Sequence, residues 1–193
     1  MISSLQADAF RLDGIMGWRS VLIALIARRT FRPIVSARLL QWAMQKKWRK
    51  PAVVVLLPVH AFFRWLAAMD FPHQAEFGAG LRIDHGWGLV VNAKAKIGSN
   101  VTLFHGVTLG QLDRVNQAGD RTTTYPVVED EVWIGPHATV VGATVGRGSR
   151  IAAGAFVNFD VPAYSLVVGN PGQVVRSGVL PDVAHPVASG GCP

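Results

Sequence analysis

The sequence predicts a parallel β-helix preceded by a small α-helical region, and three observations carry that prediction. First, composition changes sharply near residue 70: Arg, Trp, Leu and Ala with two glycines come before it, and Gly, Val, Ile, Thr and Asn at short intervals come after. Second, apolar residues in the later part recur at Phe77, Ile83, Val91, Ile97, Leu103 and Leu109, then at Val128, Ile134, Val140, Val145, Ile151 and Val157. Most of these steps are six residues, and one long gap spans 110–127. Third, small residues often follow the apolar ones, as at Gly78, Gly98, Gly110, Gly135, Gly146 and Ala152. A six-residue period suits neither an amphipathic helix nor long strands. It suits a solenoid in which each unit is one short strand and one tight turn. The apolar side chain then points into a prism, and the small residue lets the chain round the corner. A β-sandwich would instead alternate every two residues and show hairpin turns.

The 193 residues, half of them hydrophobic and 16% charged, allow one domain with a modest extension and a real core. Within the first part, the stretches 18–29, 34–48 and 53–69 read as helices, with Pro33 and Pro51 suited to helix starts. The expected organisation is therefore a helical region over 1–69, a β-helix over 70–176 with a loop at 111–126, and a flexible tail over 177–193.

Charge is divided unevenly. Residues 1–70 hold eleven Lys/Arg against three Asp/Glu, while residues 71–193 hold eight against nine. A nucleic-acid binder would carry its basic surface on the recognition module, so this division argues against one. The cluster Lys46, Lys47, Arg49 and Lys50 beside several tryptophans has two readings. It is either the wet face of a cap packed on the β-helix or a face resting on a membrane near a lipid-linked substrate. The first ten residues lack the basic and apolar regions of a signal peptide. The apolar run 52–68, interrupted by Pro58, His60 and Arg64, reads as too short to span a bilayer. A cytoplasmic location is expected, at the inner membrane face if the basic region touches lipid. A lone cysteine, Cys192, excludes a disulfide within the chain and, lacking a matched base, makes a poor nucleophile.

The segment "DFPHQAEFGAGLRIDHGWGLVVNAKAKIGSNVTLFHGVTLG" (70–110) and the segments 129–157 and 160–176 carry a specific likeness. They resemble the hexapeptide repeats of left-handed β-helix acyltransferases. Among these, the chain is most similar to serine acetyltransferases and their exopolysaccharide relatives, such as the capsule and colanic-acid acetyltransferases. The left hand comes from this resemblance, since parallel crossovers otherwise favour the right.

The resemblance implies acetyl-CoA as co-substrate, no metal, and a homotrimer that some relatives double to a hexamer. It also implies site residues. An alcohol attacks a thioester poorly unless a base takes its proton, and a neutral histidine is suited to that. His85, in "RIDHGWG", stands at the family's catalytic histidine, and Asp70, fifteen residues earlier, matches the carboxylate that orients it. Asp84 matches an acceptor contact. The backbone N–H of the Gly110–Gln111 region matches the oxyanion donor. Gln111 replaces the family's second glycine there. Gly135, Pro136, Ala153 and Gly154 match positions that let the pantetheine arm pass close. Arg150 and Arg147 are candidates for the nucleotide phosphates. His105 is a rival base or a coil-surface or subunit-interface residue; His60, His73, His137 and His185 read as structural or exposed.

The chain departs from serine acetyltransferases at the acceptor loop, which in that family ends Gly-Asp-Arg-His-Pro. Here "GDRTTTYP" keeps Gly119, Asp120 and Arg121, and Tyr125 stands where His would be. The helical region is also short. These departures favour a sugar hydroxyl of an exopolysaccharide or its precursor over free serine, with serine as the alternative. A fold by itself does not settle an acceptor. Two rival classes are an inert hexapeptide scaffold and a zinc-bearing solenoid. The latter needs a histidine triad, and His85, His105 and His137 lack its spacing.

Overall fold

The computed structural model describes residues 2–188, so Cys192 lies outside the described residues. Four helices come first: α1 (Ile2–Asp13), α2 (Trp18–Ala27), α3 (Phe31–Met44) and α4 (Lys50–Ala67), with a 3-10 turn at Lys47–Arg49 before α4. Helix α1 has no counterpart among the helices expected from sequence, because only proline breaks and long apolar runs were informative there. The stretch 34–48 is interrupted after Met44, so its last basic residues form the separate turn. Pro51 sits in the first turn of α4, where a missing N–H costs nothing, but Pro58 lies inside that helix.

The coils follow as a left-handed parallel β-helix. The first coil contributes β1 (Glu76–Phe77), β2 (Arg82–Asp84) and β3 (Val90–Val91), and the second contributes β4 (Lys96–Ile97), β5 (Thr102–Phe104) and β6 (Thr108–Gly110). A hairpin of β7 (Leu112–Val115) and β8 (Arg121–Thr124) then leaves the prism inside the segment expected as a loop. The third coil holds β9 (Val127–Val128), β10 (Trp133–Ile134) and β11 (Thr139–Val141). The fourth holds β12 (Thr144–Val145), β13 (Arg150–Ile151) and β14 (Phe156–Val157), and the chain closes with β15 (Ser165–Val168) and antiparallel β16 (Gln173–Ser177). Three sheets make the faces: β1-β4-β9-β12, β2-β5-β10-β13-β15-β16 and β3-β6-β11-β14.

Register explains the six-residue period. Ile83, Leu103, Ile134, Ile151 and Val167 stack on one another, as do Val91, Leu109, Val140 and Val157. Each of the twelve repeat positions from Phe77 to Val157 is buried except Phe77, which lies half-buried against Phe71 and under the Arg38 guanidinium. Corners need the left-handed backbone. At Gly106 (φ 67°) a Cβ would come within 2.2 Å of the His137 ring, so only glycine fits that turn.

Charged groups join the helices to the coils. Asp8, wholly buried on α1, takes two hydrogen bonds from Arg38 of α3 and accepts from the N–H groups of Gly80 and Leu81. Arg38 also donates to the Gly78 carbonyl. Arg11, equally buried, donates to the carbonyls of Gly80 and Asn100 and to Thr102 Oγ1.

Where the sequence predicts a flexible tail, residues 178–188 cross back over the β2-β5-β10 face. Asn100 holds the backbone of Val187 in both directions, at 2.7 and 2.9 Å. Arg11 donates to the Ala184 carbonyl, and His185 meets the Phe10 ring edge-on. Composition concealed this because none of the segment's side chains is buried; buried polar groups of the body hold its backbone.

Candidate active site

Successive coils place His85, His105, Pro136–His137 and Ala153–Gly154 one above another at the corner between the second and third faces. The His137 N–H donates to the His105 carbonyl at 3.0 Å, and the Gly154 N–H to the Pro136 carbonyl at 2.8 Å. The rings form a column: His85 to His105 is 5.8 Å between centroids, and His105 to His137 is 4.9 Å, both edge-to-face. His85 is exposed, whereas Nδ1 of His105 is buried without a hydrogen-bond partner. Among the described residues, no group of three His, Cys, Asp or Glu side chains is placed to hold a metal ion.

The helical region builds the corner that carries His85. His85 itself has a left-handed backbone (φ 64°), followed by Gly86 (φ 61°). Thr30 donates to the Ile83 carbonyl at 2.9 Å just before the turn. Arg29 donates to the carbonyls of His85 and Ala67, and its guanidinium lies 3.6 Å above the Trp87 ring. Arg29 and Thr30 are positioning residues that the repeat pattern does not reveal. Their only sequence signal is a polar pair at the break between α2 and α3.

Asp70 lies in parallel register beside Val90, on the outer side of the third face, because its neighbour Phe71 turns inward. Its Oδ1 forms an ion pair with Arg64 of α4 at 2.9 Å, and no hydrogen bond joins it to His85 among the described residues. The expected His85–Asp70 contact is therefore not made here: the last turn of α4 places a guanidinium against the carboxylate first. Oδ2 of Asp70 has no donor among the described residues, which leaves room for a second one.

Asp84 does not join this edge. Two residues from Arg82 on the same side of β2, it accepts from Arg82 Nε with both oxygens, at 2.8 and 3.0 Å. It faces a shallow cleft with Arg11, Trp133 and Asp182, under the returning C-terminal segment. Arg150 is likewise committed, to Asp182, and Arg147 to Glu131 at 2.9 Å, so neither presents an unpaired guanidinium to a phosphate.

The remaining candidates lie at the next corner. Gln111 starts the hairpin segment; its side chain accepts from Asn92 and donates to Asp113, while its N–H has no acceptor among the described residues. Arg121 sits 3.8 Å from Asp113 on the hairpin, and the Tyr125 hydroxyl accepts from Lys94 at 2.9 Å. Gly110 ends β6, and its carbonyl accepts from Gly142. A three-residue strand spans about 10 Å. Within one chain, the Gly110–Gln111, Arg121 and Tyr125 group is thus separated from His85 by the width of a face. The residues expected along the pantetheine arm do meet: an added Cβ on Gly135 would touch Ala153 N at 2.9 Å, and nothing stands within 4 Å of one on Gly154.

A scan against protein-family models finds no match. Similarity to characterised proteins is clear. A serine acetyltransferase of Bacillus licheniformis is 43% identical over 113 residues, which are 58% of this chain and 50% of that one. The chain spans about half the length of the curated relatives it matches. Among solved structures, the soybean serine acetyltransferase apoenzyme superposes with a TM-score of 0.70 at 30% identity, covering 90% of this chain and 68% of the other. A serine acetyltransferase of Brucella abortus strain S19 in complex with coenzyme A gives 0.70 at 27% identity, covering 92% and 67%. The chain belongs to the serine acetyltransferase family of hexapeptide-repeat proteins.

Proposed function

We propose that the chain is an acetyl-CoA-dependent O-acetyltransferase that moves the acetyl group directly to a hydroxyl, with His85 as general base. The observation that carries this reading is the corner column. From His85 to Gly154 it runs three coil spacings, roughly 14 Å, past residues whose backbones are open to close approach. An extended thioester arm lying along it brings its carbonyl carbon to the imidazole. The Brucella abortus relative, solved with coenzyme A, supports that co-substrate.

In the proposed step the acceptor oxygen attacks the thioester carbon while His85 takes its proton. The oxyanion of the tetrahedral intermediate meets the N–H of Gln111. The carbon–sulfur bond then breaks, and the leaving thiolate recovers the proton from the imidazolium. Asp70 steadies that imidazolium through Oδ2 while Arg64 keeps Oδ1. Because Gln111 and His85 lie on different edges of one prism, the reading takes a second copy to bring the two edges together, as in a homotrimer.

Serine is the acceptor best supported by the comparisons, since the curated relatives are named serine acetyltransferases. A sugar hydroxyl of an exopolysaccharide is the second reading. It is favoured by one observation: Arg121 and Tyr125, at the acceptor loop, are turned to Asp113 and Lys94. An acceptor panel of serine, homoserine and nucleotide sugars, read by release of coenzyme A, separates the two. His85→Ala should lower turnover by about 10²- to 10⁴-fold while the fold persists. Full turnover in that variant removes the mechanism, and absence of coenzyme A binding in calorimetry makes the chain an inert scaffold.

A further inference from the structure

We propose that α4, with the basic turn before it, seats the protein in the plane of an anionic lipid surface. This inference is independent of the acetyl-transfer reading. Helix α4 is apolar almost all round, yet only His60 and Ala67 are buried on it. Val54 is 74% exposed and Trp65 75%, with Val55, Leu57 and Phe62 exposed between them. A helix apolar on nearly every side needs an apolar environment. Helix α2 presents a second such surface at Leu22, Ile23 and Ile26.

Charge identifies the partner. Residues 14–69 hold ten Lys/Arg and no Asp or Glu. Lys46, Lys47 and Lys50 are exposed at the start of α4, and Arg49 stacks between the rings of Trp42 and Trp48, at 4.0 and 4.8 Å. Trp48 is itself 73% exposed. Arg64, the cation inside α4, is turned to Asp70 and does not interrupt the apolar surface. Cations with tryptophans beside an apolar helix match the headgroup boundary of an anionic leaflet. A second copy of this chain would bring the same unbroken positive charge to the interface.

Length alone would let Lys47–Ala67, at 21 residues, cross a bilayer, contrary to the reading from sequence. The fold does not. His60 is bonded to Ser36 of α3 at 2.8 Å, and α3 is bonded through Arg38 and Gln41 to Gly78 and Ala75 of the first coil. Asp70, just past the C-terminal end of α4, is already in the β-helix. The middle and the C-terminal end of α4 are fastened to one body, so the helix lies along the surface.

Flotation of the full chain with vesicles tests this, using phosphatidylcholine with and without about a third phosphatidylglycerol. The protein should float with the anionic vesicles and far less with the neutral ones, and rising salt should release it. Lys46→Glu/Lys47→Glu/Lys50→Glu and Phe62→Ser/Trp65→Ser should each lower the floated fraction at least about tenfold, with circular dichroism unchanged. Wild-type protein that stays at the bottom with anionic vesicles overturns the proposal. So does flotation indifferent to both sets of substitutions. Light scattering in which Phe62→Ser/Trp65→Ser lowers the mass of a non-floating wild type would assign the surface to another copy instead.

Discussion

The coils bury every apolar residue of their repeat from Ile83 on, whereas the helices leave many of theirs exposed. From Ile83 to Val157 every repeat position is at most 4% exposed. In the helical region, α2 and α4 leave large apolar side chains in the open, and what fastens this region to the coils is a small apolar contact at Ile34, Ala37 and Ala67 together with buried charge. The contrast separates two kinds of stability: one is spread over many equivalent apolar contacts, the other rests on a few apolar contacts and on buried charged groups, among them the Asp8–Arg38 pair. Removing one partner of a buried pair strands the other, at a cost of about 3–5 kcal/mol. Arg38→Met should cost that much in urea denaturation, the largest effect expected here, because Asp8 then keeps only the Gly80 and Leu81 N–H groups. Adding Asp8→Leu to Arg38→Met should recover much of the loss. A single substitution costing under about 1 kcal/mol would show that the join does not rest on this pair.

Truncations within each region sharpen the same contrast. Leu109 is fully buried, and Leu109→Ala should cost about 2–5 kcal/mol. Val55, at 64% exposure, should cost within about 0.5 kcal/mol on truncation to Ala. Equal costs would mean that α4 is covered in the protein as it exists in solution, by another copy if no lipid is present.

How far each region could be read from sequence follows from the same physics. One apolar side chain per six residues is a local rule, and the coil register confirms it position by position. Helix–coil docking is not local: Asp8 and Arg38 are ordinary charged residues until the fold brings them together, and the strap over 178–188 is held by backbone groups that carry no signature. At the site, the His85 column follows from stacking. Two of the side-chain pairings depend on neighbours from outside the repeat: Arg64 reaches Asp70 from α4, and Asp182 claims Arg150. Spacing in the repeat could not announce either of those pairs meeting, whereas Arg82 and Asp84, two apart on β2, share a face by alternation.

Acid offers a last way to tell the regions apart. His60 joins α4 to α3, bonded to Ser36 and set edge-on to His73 at 5.7 Å. Burial lowers its pKa to about 4, and the charges of Arg64 and His73 push in the same direction. Burial lowers that of His73 as well, with Arg64 adding to it. Above pH 6.5 both the native and the unfolded chain carry a neutral His60. As pH falls from 6.5 toward 4 the unfolded chain takes up a proton that the native one refuses, so stability declines, by about 3 kcal/mol across the window for His60. Denaturation followed between about pH 7 and pH 4.5 should show that slope. His60→Gln should flatten most of it, leaving the share of His73. Hydrogen exchange should locate the acid loosening at α3 and α4 while the coil strands stay protected. Loosening that begins in the coils would mean that the two regions share one cooperative unit, and that the join at Asp8 and Arg38 is stronger than either side of it.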